Sequence, residues 1–197
     1  PIYEIVGESY NRLLITICAV PYLMHFGSPA FYLLYLIIKL PGWKYFWLYV
    51  LASANIQHQH NSVNFFPTAP PWIFAELPAE AKFYLVDELI SINIFHGIYG
   101  LNKLVCGAFP SIHVQWPSII AFNGAVHPCF GATYVLWITT AAVYSEHHWI
   151  SDVLIGMIIA GFSSFIAKLY ISRVDFEPIV EQAGLITMET DVGIPST

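Results

Sequence analysis

The sequence predicts an all-α protein, a polytopic membrane helix bundle with about five to six transmembrane helices. The 197 residues are 57% hydrophobic and 10% charged, and their mean hydropathy is +0.62. A water-soluble domain of this length could hardly hide so much apolar surface in a single core. In addition, about five stretches approach the roughly 20 apolar residues that a membrane-spanning helix needs. We therefore expect the bilayer to be the solvent of most of the chain.

The predicted spans differ in how far proline or polar residues interrupt their apolar sequence. In chain order they are Leu13–Leu40, Tyr45–Asn64, Ser111–Val126, Phe130–Tyr144 and Ser151–Ile171. The first is interrupted by Pro21 and Pro29, and the second ends in a run of polar residues, so that it cannot face lipid all round. Only the fifth is an uninterrupted apolar span.

The segment between the second and third spans, Phe66 to Pro110, contains a proline cluster and four acidic residues. Its length and composition predict an extramembrane cap or a re-entrant region. No internal repeat divides the chain, so residues 1–174 are predicted to form one membrane-embedded domain. Residues 175–197 are polar enough to form a C-terminal tail.

The few charges bear on partners and on orientation. A net charge of -6 with only 7 Lys and Arg offers no basic face, which argues against nucleic acid as a partner. Cytoplasmic ends of spans carry the excess of Lys and Arg, and alternating crossings put Lys39, Lys44, Lys168 and Arg173 on one side. The starts of the third and fifth spans then face the opposite, lumenal or extracytoplasmic side.

The third predicted helix begins with a motif suited to anion binding. Residues 107–113 read GAFPSIH, and a proline close to the first helical position favours the start of a helix. The N–H groups of such a start point outward at the positive end of the helix dipole, where phosphate binds well. Ser111 and His113 are positioned to contact the same anion.

The fifth helix begins with a second motif. His148 and Asp152 are four residues apart and share one face of a helix. A carboxylate that accepts a hydrogen bond from one ring nitrogen would leave the other nitrogen free to attack phosphorus, and would stabilise the imidazolium that follows. His113 could then donate and accept the proton of the lipid oxygen. This chemistry, with a phosphohistidine-type intermediate, requires neither a metal nor another cofactor.

The two motifs, PSIH followed by HWISD, resemble the second and third signatures of the type 2 phosphatidic acid phosphatase superfamily. The longer forms GAFPSIH and PTAPPW, the latter at Pro67–Trp72, are similar to the inositol phosphorylceramide synthase branch. The resemblance implies a helix bundle of that kind, with His148 as nucleophile, Asp152 as its orienting partner and His113 as general acid and base. It also implies that Ser111 helps to hold phosphate.

One position departs from the family pattern, which has an arginine six residues before the nucleophile, where this chain has Ala142. A phosphoryl-transfer site needs positive charge to compensate the phosphate. The available candidates are Lys103 and Arg12, and His147 could add charge. Trp72 is expected to form a wall of the headgroup pocket, because indole rings favour the membrane interface.

The resemblance to the inositol phosphorylceramide synthase branch implies the transfer of phosphoinositol from phosphatidylinositol to ceramide, which makes lipids the substrates and the membrane the location. The same residues could instead use water as acceptor, as a lipid phosphatase or an isoprenoid diphosphate phosphatase does. A third interpretation is a protein without catalysis, in which His113, His147 or His148 ligate haem or a metal, or which binds lipid.

Overall fold

The structure is a computed structural model that describes residues 2–39, 43–60, 68–100 and 107–173. These residues form helices and turns, and none of them lies in a strand. The helices are α1 (Ile2–Lys39), α2 (Trp43–His60), α3 (Pro71–Phe74), α4 (Tyr84–Ile90), α5 (Ile112–Asn123), α6 (Pro128–Tyr144) and α7 (Ile150–Ile171). A 3₁₀ turn (Ala81–Phe83) and a π-helical turn (His96–Gly100) lie among them. The predicted all-α membrane fold class is confirmed.

The observed helices differ from the predicted spans in two places. α1 continues through Pro21 and Pro29, since each proline removes only its own N–H donor and the apolar surroundings favour keeping the remaining helical bonds. α5 has 12 residues and ends at Gly124, whose left-handed φ of 89° stops the helix. At 1.5 Å per residue it is about 18 Å long, so it is too short to cross a hydrocarbon layer of about 30 Å.

Two helical stretches, Asn11–Lys39 and Ile150–Ile171, are long and apolar enough by length and composition to cross a membrane. Both expose large apolar side chains along one side, for example Phe31, Ile158 and Phe162. Such surfaces suit contact with lipid tails. The remaining long helices complete the bundle around them.

α5 is the central helix of the bundle. It packs against α7 and α6, and also against α2 and α1, while α7 packs mainly on α2 and α5. Two clusters of buried apolar side chains result. The first lies near the starts of α5 and α7 and includes Tyr22, Phe83 and Val153; the second lies toward the other ends of these helices and includes Leu36 and Ile171.

The predicted cap lies over the end of the bundle where α5 and α7 begin, and residues 68–100 of it are described. It is joined to the loop between α6 and α7 by hydrogen bonds from the Trp72 N–H to the Glu146 carbonyl (3.0 Å) and from the Lys82 N–H to the Ser145 carbonyl (3.1 Å). Lys82 also forms a 2.6 Å ion pair with Glu146. The cap and this loop therefore form one packed layer. The predicted tail, 175–197, lies outside the described residues.

Candidate active site

His148 lies in the loop between α6 and α7, and the loop before α5 holds its ring. The His148 backbone N–H donates to the carbonyl of Ala142 (3.1 Å), which lies in the last turn of α6. On the ring, Nδ1 lies 2.8 Å from the Ala108 carbonyl oxygen. A carbonyl can only accept, so Nδ1 carries the ring proton and Nε2 keeps a lone pair. No side chain or backbone group in the described ranges hydrogen bonds to Nε2, which leaves this nitrogen available to attack an electrophile.

Asp152 lies beside His148 but does not hydrogen bond to it. Its Oδ2 is 3.7 Å from His148 Nδ1, because the carboxylate instead accepts hydrogen bonds at the start of α7. The Trp149 N–H donates to Oδ2 (2.9 Å) and the Ser151 hydroxyl to Oδ1 (3.2 Å). The expected tautomer-fixing bond is thus supplied by the Ala108 carbonyl. At 3.7 Å, the Asp152 carboxylate is placed to influence the imidazole through its charge and not through a hydrogen bond.

Ser111 precedes the first residue of α5, and this helix start is open. No side chain caps it, and the fully buried Ser111 hydroxyl has no hydrogen-bond partner among the described residues. The first N–H groups of a helix have no acceptor within the helix and form the positive end of its dipole. The Ser111 N–H donates to the Asp152 carbonyl (3.1 Å), which keeps this helix start next to His148. A candidate anion site therefore lies close to His148.

Gly156 on α7 makes this close approach possible. A Cβ atom at position 156 would lie 2.8 Å from the Ser111 carbonyl oxygen, a distance that real Cβ contacts do not reach. Small residues let membrane helices bring their backbones together. The spacing between the α5 anion site and His148 thus depends on the missing side chain at Gly156.

His113 lies in the first turn of α5, with its ring centre 5.2 Å from that of His148. Tyr22 of α1 stacks on it at 4.5 Å, and His25 of α1 places Nε2 2.7 Å from His113 Nδ1. The sequence analysis missed His25, because a lone histidine in an apolar stretch belongs to no motif. One signal was available, since an ionisable side chain inside a predicted membrane helix usually has a functional role.

His147 lies beside the same cluster and is 7% exposed. Its ring centre is 5.0 Å from those of Tyr22 and Tyr99, and its Nδ1 is 3.0 Å from the Ser145 hydroxyl. Within the described ranges its buried Nε2 has no partner. Burial, assisted by the neighbouring His148, lowers the pKa of His147 to about 3. The ring is therefore neutral near pH 7 and offers a hydrogen bond, not the positive charge expected from the sequence.

The other predicted binding residues are less directly placed. Trp72 belongs to α3, and its half-buried ring forms no described ring contact with His113, His147 or His148. Lys103 lies outside the described residues. Arg12 lies on α1 next to Asn11, whose side chain accepts a hydrogen bond from Tyr144 at the end of α6. Arg12 therefore lies at the same end of the bundle as the histidines.

Metal binding by this region has little support in the described part of the chain. There, no group of three or more His, Cys, Asp or Glu side chains is arranged to hold a metal ion. The histidines instead bond to carbonyl groups, to a hydroxyl or to each other. Such an arrangement suits proton transfer and nucleophilic attack.

Comparisons with known proteins identify the family of the chain. Residues 8–166 match a family described as the PAP2 superfamily. The chain is 29% identical over 179 residues to the inositol phosphorylceramide synthase catalytic subunit of Schizosaccharomyces pombe. It is 26% identical over 173 residues to the protein of the same description from Saccharomyces cerevisiae. Each alignment covers 80% of this chain, and they cover 41% and 43% of the two relatives.

A bacterial protein is also similar. The phosphoinositol dihydroceramide synthase of Bacteroides thetaiotaomicron is 31% identical over 106 residues, which are 46% of this chain and 35% of the relative. The chain thus spans about two fifths of the length of the yeast relatives. No solved structure matches it. The superfamily that the two motifs predicted is confirmed, and the three relatives are similar proteins of the kind that GAFPSIH and PTAPPW indicated.

Proposed function

The chain belongs to the PAP2 superfamily, and from this premise we propose that it is a membrane enzyme that transfers a phosphoryl-type group between lipids through His148. The observation that carries the proposal is the state of the His148 ring. Nδ1 is held by the Ala108 carbonyl at 2.8 Å and Nε2 is unpartnered among the described residues, beside the open start of α5. A neutral imidazole in this tautomer is a competent nucleophile.

The proposed reaction has two displacements. In the first, His148 Nε2 attacks the phosphorus of the donor lipid, an N–P bond forms, and the P–O bond to the departing alcohol breaks. His113, which enters this step protonated on both ring nitrogens, donates its Nε2 proton to that alcohol oxygen and becomes neutral. The charge of Asp152 stabilises the positively charged phosphohistidine. In the second, the acceptor hydroxyl loses its proton to His113, its oxygen attacks phosphorus and the N–P bond breaks. Both histidines then return to their starting states.

The substrates we propose are phosphatidylinositol as donor and ceramide as acceptor, with diacylglycerol released in the first displacement. Support comes from the relatives, which are named as synthases of inositol phosphorylceramide or of phosphoinositol dihydroceramide. In this reading the α5 start and Ser111 bind the phosphate oxygens, and His147 Nε2 hydrogen bonds to the headgroup. Lys103 and Arg12 are the proposed sources of positive charge, and Trp72 is a proposed wall of the pocket.

An apolar groove offers space for an alkyl chain of either lipid. It has a volume of about 650 Å³, lies between α1 and the start of α6, and is lined by residues that include Leu23, Met24, Phe31 and Phe130. Met24 adjoins His25, which contacts His113. A lipid whose headgroup lies at the histidines could place a chain in this groove without losing contact with the bilayer.

We further propose that the site faces the lumenal or extracytoplasmic side. α7 begins at the site and ends near Lys168 and Arg173, and positive charge favours the cytoplasmic side. Cys129, exposed at the start of α6, lies toward that cytoplasmic end. In a Cys18→Ser, Cys106→Ser background, a membrane-impermeant maleimide added to intact cells should therefore label Cys129 only after permeabilisation. Labelling of intact cells would reverse the orientation.

The central experiment uses inositol-labelled phosphatidylinositol and ceramide, incubated with membranes that contain the protein, and separates the products by thin-layer chromatography. A chelator is present throughout. The variants are wild type, His148→Ala and the control Thr140→Ala, whose hydroxyl is exposed on α6 and bonds to the Leu136 carbonyl of the same helix. We expect an inositol-bearing sphingolipid from wild type and Thr140→Ala and none from His148→Ala.

The other outcomes separate the alternatives. Product from His148→Ala would overturn the nucleophile assignment, whereas water-soluble inositol phosphate in place of the sphingolipid would indicate a phosphatase. Absence of product from any phospholipid or isoprenoid diphosphate would overturn catalysis, and a visible absorbance band of the purified protein would then favour haem. Donor labelled in its phosphate should also leave an acid-labile, alkali-stable label on wild type, which is the behaviour of a phosphohistidine.

A further inference from the structure

His25 connects the backbone of α1 with His113. It is 6% exposed, and its Nδ1 hydrogen bonds to the carbonyl of Tyr22, one turn earlier in the helix. Its Nε2 lies 2.7 Å from His113 Nδ1. Tyr22, His25 and Phe26 occupy one face of α1 at helical spacing, and all three rings contact the His113 ring. α1 therefore surrounds His113 although it contributes neither of the sequence motifs.

The order of these bonds fixes the positions of the protons. A carbonyl only accepts hydrogen bonds, so His25 must donate to Tyr22 from Nδ1–H. The remaining nitrogen of a neutral His25, Nε2, then has a lone pair and accepts from His113. His113 consequently carries hydrogen on Nδ1, and its Nε2 is the nitrogen left for proton exchange with a substrate oxygen.

We propose that His25 is a positioning residue for the reaction. It orients the His113 ring and keeps the hydrogen on Nδ1, so that Nε2 is the nitrogen that exchanges a proton with the substrate oxygen. This inference rests on the proposed function, in which His113 is the general acid and base. Partners that fix the tautomer of a working histidine are often carboxylates. A neutral acceptor orients the ring and favours its charged form less than a carboxylate would, which suits a group that donates a proton in one displacement and accepts one in the next.

The arrangement is distinct from the support of His148. His148 is held by the Ala108 carbonyl and has the charge of Asp152 at 3.7 Å. For His113, the described neighbours with polar or titratable side chains are Tyr22 and His25 from α1, and His147 and His148 from the loop before α7. The nucleophile is thus supported by a carboxylate, and the proposed acid and base by a second imidazole.

The test compares two substitutions at one position. In His25→Gln, an amide oxygen lies near the original Nε2 and can still accept from His113 Nδ1–H, whereas in His25→Leu a side chain of similar size has no acceptor. We expect His25→Leu to lower kcat by about 10- to 100-fold with little change in KM, and His25→Gln to recover most of the loss. Thr140→Val, an apolar substitution at an exposed residue of α6, should match wild type.

A donor with a good leaving group distinguishes positioning from general damage. Phosphoinositol esterified to 4-nitrophenol needs no proton on the departing oxygen, because nitrophenolate is a stable anion. First-turnover release of nitrophenolate should therefore be nearly normal in His25→Leu, while turnover of phosphatidylinositol falls. If His25→Leu loses both activities, loses neither, or behaves as His25→Gln does, the proposed role is overturned.

A spectroscopic measurement separates failure of this inference from failure of the proposed function. In wild-type protein with ¹⁵N-labelled histidine, correlation of ring nitrogens with ring protons should show His113 protonated on Nδ1. A proton on Nε2 alone would overturn the role of His25, whatever the activity. If wild type turns over neither donor while His113 has the expected tautomer, the proposed function fails and the hydrogen-bond assignment stands.

Discussion

The starts of α5 and α7 lie side by side at the same end of the bundle, yet they are completed in opposite ways. At α7 the chain provides its own carboxylate, since Asp152 accepts the Trp149 N–H at 2.9 Å. At α5 no side chain caps the helix, and the Ser111 hydroxyl is buried without a described partner. The two starts are bonded to each other by the Ser111 N–H and the Asp152 carbonyl.

The difference indicates a division of labour. An isolated open helix start costs stability, typically about 1 kcal/mol relative to a capped one, so an uncapped, buried start is best explained by an external anion. In the proposed reaction, the closed start of α7 keeps a negative charge beside His148, where it would stabilise the cationic intermediate. One helix start is thus proposed to accommodate the phosphate, and the other to support the group that attacks it.

The largest expected effect is that of Asp152→Asn, which removes the negative charge at the start of α7. The amide oxygen can still accept the Trp149 N–H, so the helix start remains closed while the negative charge 3.7 Å from His148 is lost. We expect kcat to fall by about 100-fold or more, measured by sphingolipid formation in membranes. Ser151→Ala, which removes only the 3.2 Å hydrogen bond to Oδ1, is the control and should stay near wild type. An Asp152→Asn variant with most of its activity would contradict the assigned role.

The next effect concerns the distance between the two helix starts. Gly156→Ala would place a Cβ 2.8 Å from the Ser111 carbonyl oxygen and force α5 away from α7. We expect loss of about 1–3 kcal/mol of stability and a clear fall in kcat, measured by thermal unfolding in detergent and by turnover. Gly161→Ala on the same helix meets only an ordinary 3.6 Å contact with Phe122, and should be tolerated. If the two variants have the same stability and the same kcat, the close approach of α5 and α7 at Gly156 does not matter for the site.

A smaller effect is expected for Ser111→Ala, on the α5 side. Loss of one hydroxyl from the anion site should raise KM for the donor and weaken inhibition by inorganic phosphate, by about tenfold, or 1.4 kcal/mol. Ser118→Ala is a matched control, because Ser118 is also fully buried and unpartnered in the described part but lies farther along α5. If inorganic phosphate inhibits the two serine variants equally, Ser111 has no specific role in phosphate binding.

The smallest expected effect is on stability at low pH. His147 has a pKa of about 3 in the folded protein, below the ordinary value of 6.5, because burial disfavours its charged form. The unfolded chain therefore binds the proton first, so stability is complete above about pH 6.5 and falls as the pH drops toward 3. His147→Gln should flatten the dependence of the unfolding temperature between pH 7 and pH 5. The control His127→Gln should leave the slope of wild type, and an unchanged slope in His147→Gln would contradict the burial argument.

Hydropathy and two short motifs predicted the fold class, the family and the ends of several helices. α6 ends at Tyr144 and α7 at Ile171, as expected, because apolar runs bounded by polar residues define both ends. The extent of α5 was wrong, since apolar residues continue past the point where the backbone of Gly124 ends the helix. Local sequence reports hydrophobicity better than it reports backbone conformation.

Side-chain partners were harder to predict than proximity. The spacing of His148 and Asp152 predicts that they are near each other, but not that backbone N–H groups at the start of α7 compete for the carboxylate. His25 was missed because its partner, His113, is 88 residues away in sequence. Such a contact follows from helix packing, which no local pattern encodes. The catalytic roles of these residues stay predictions.

The bonds between the cap and the loop that carries His148 have a consequence for how the molecule matures. Trp149 Nε1 donates to the Ala69 carbonyl at 3.0 Å, and the backbone N–H of Trp72 donates to the Glu146 carbonyl. Segments that are distant in sequence therefore hold each other in place. Membrane helices form first and dock afterwards, and contacts of long sequence separation close late because loop closure costs entropy. We therefore expect the nucleophile loop to acquire its final geometry only when the cap has docked. A chain that has inserted but not docked its cap would be helical, and its His148 loop would lack the contacts that order it.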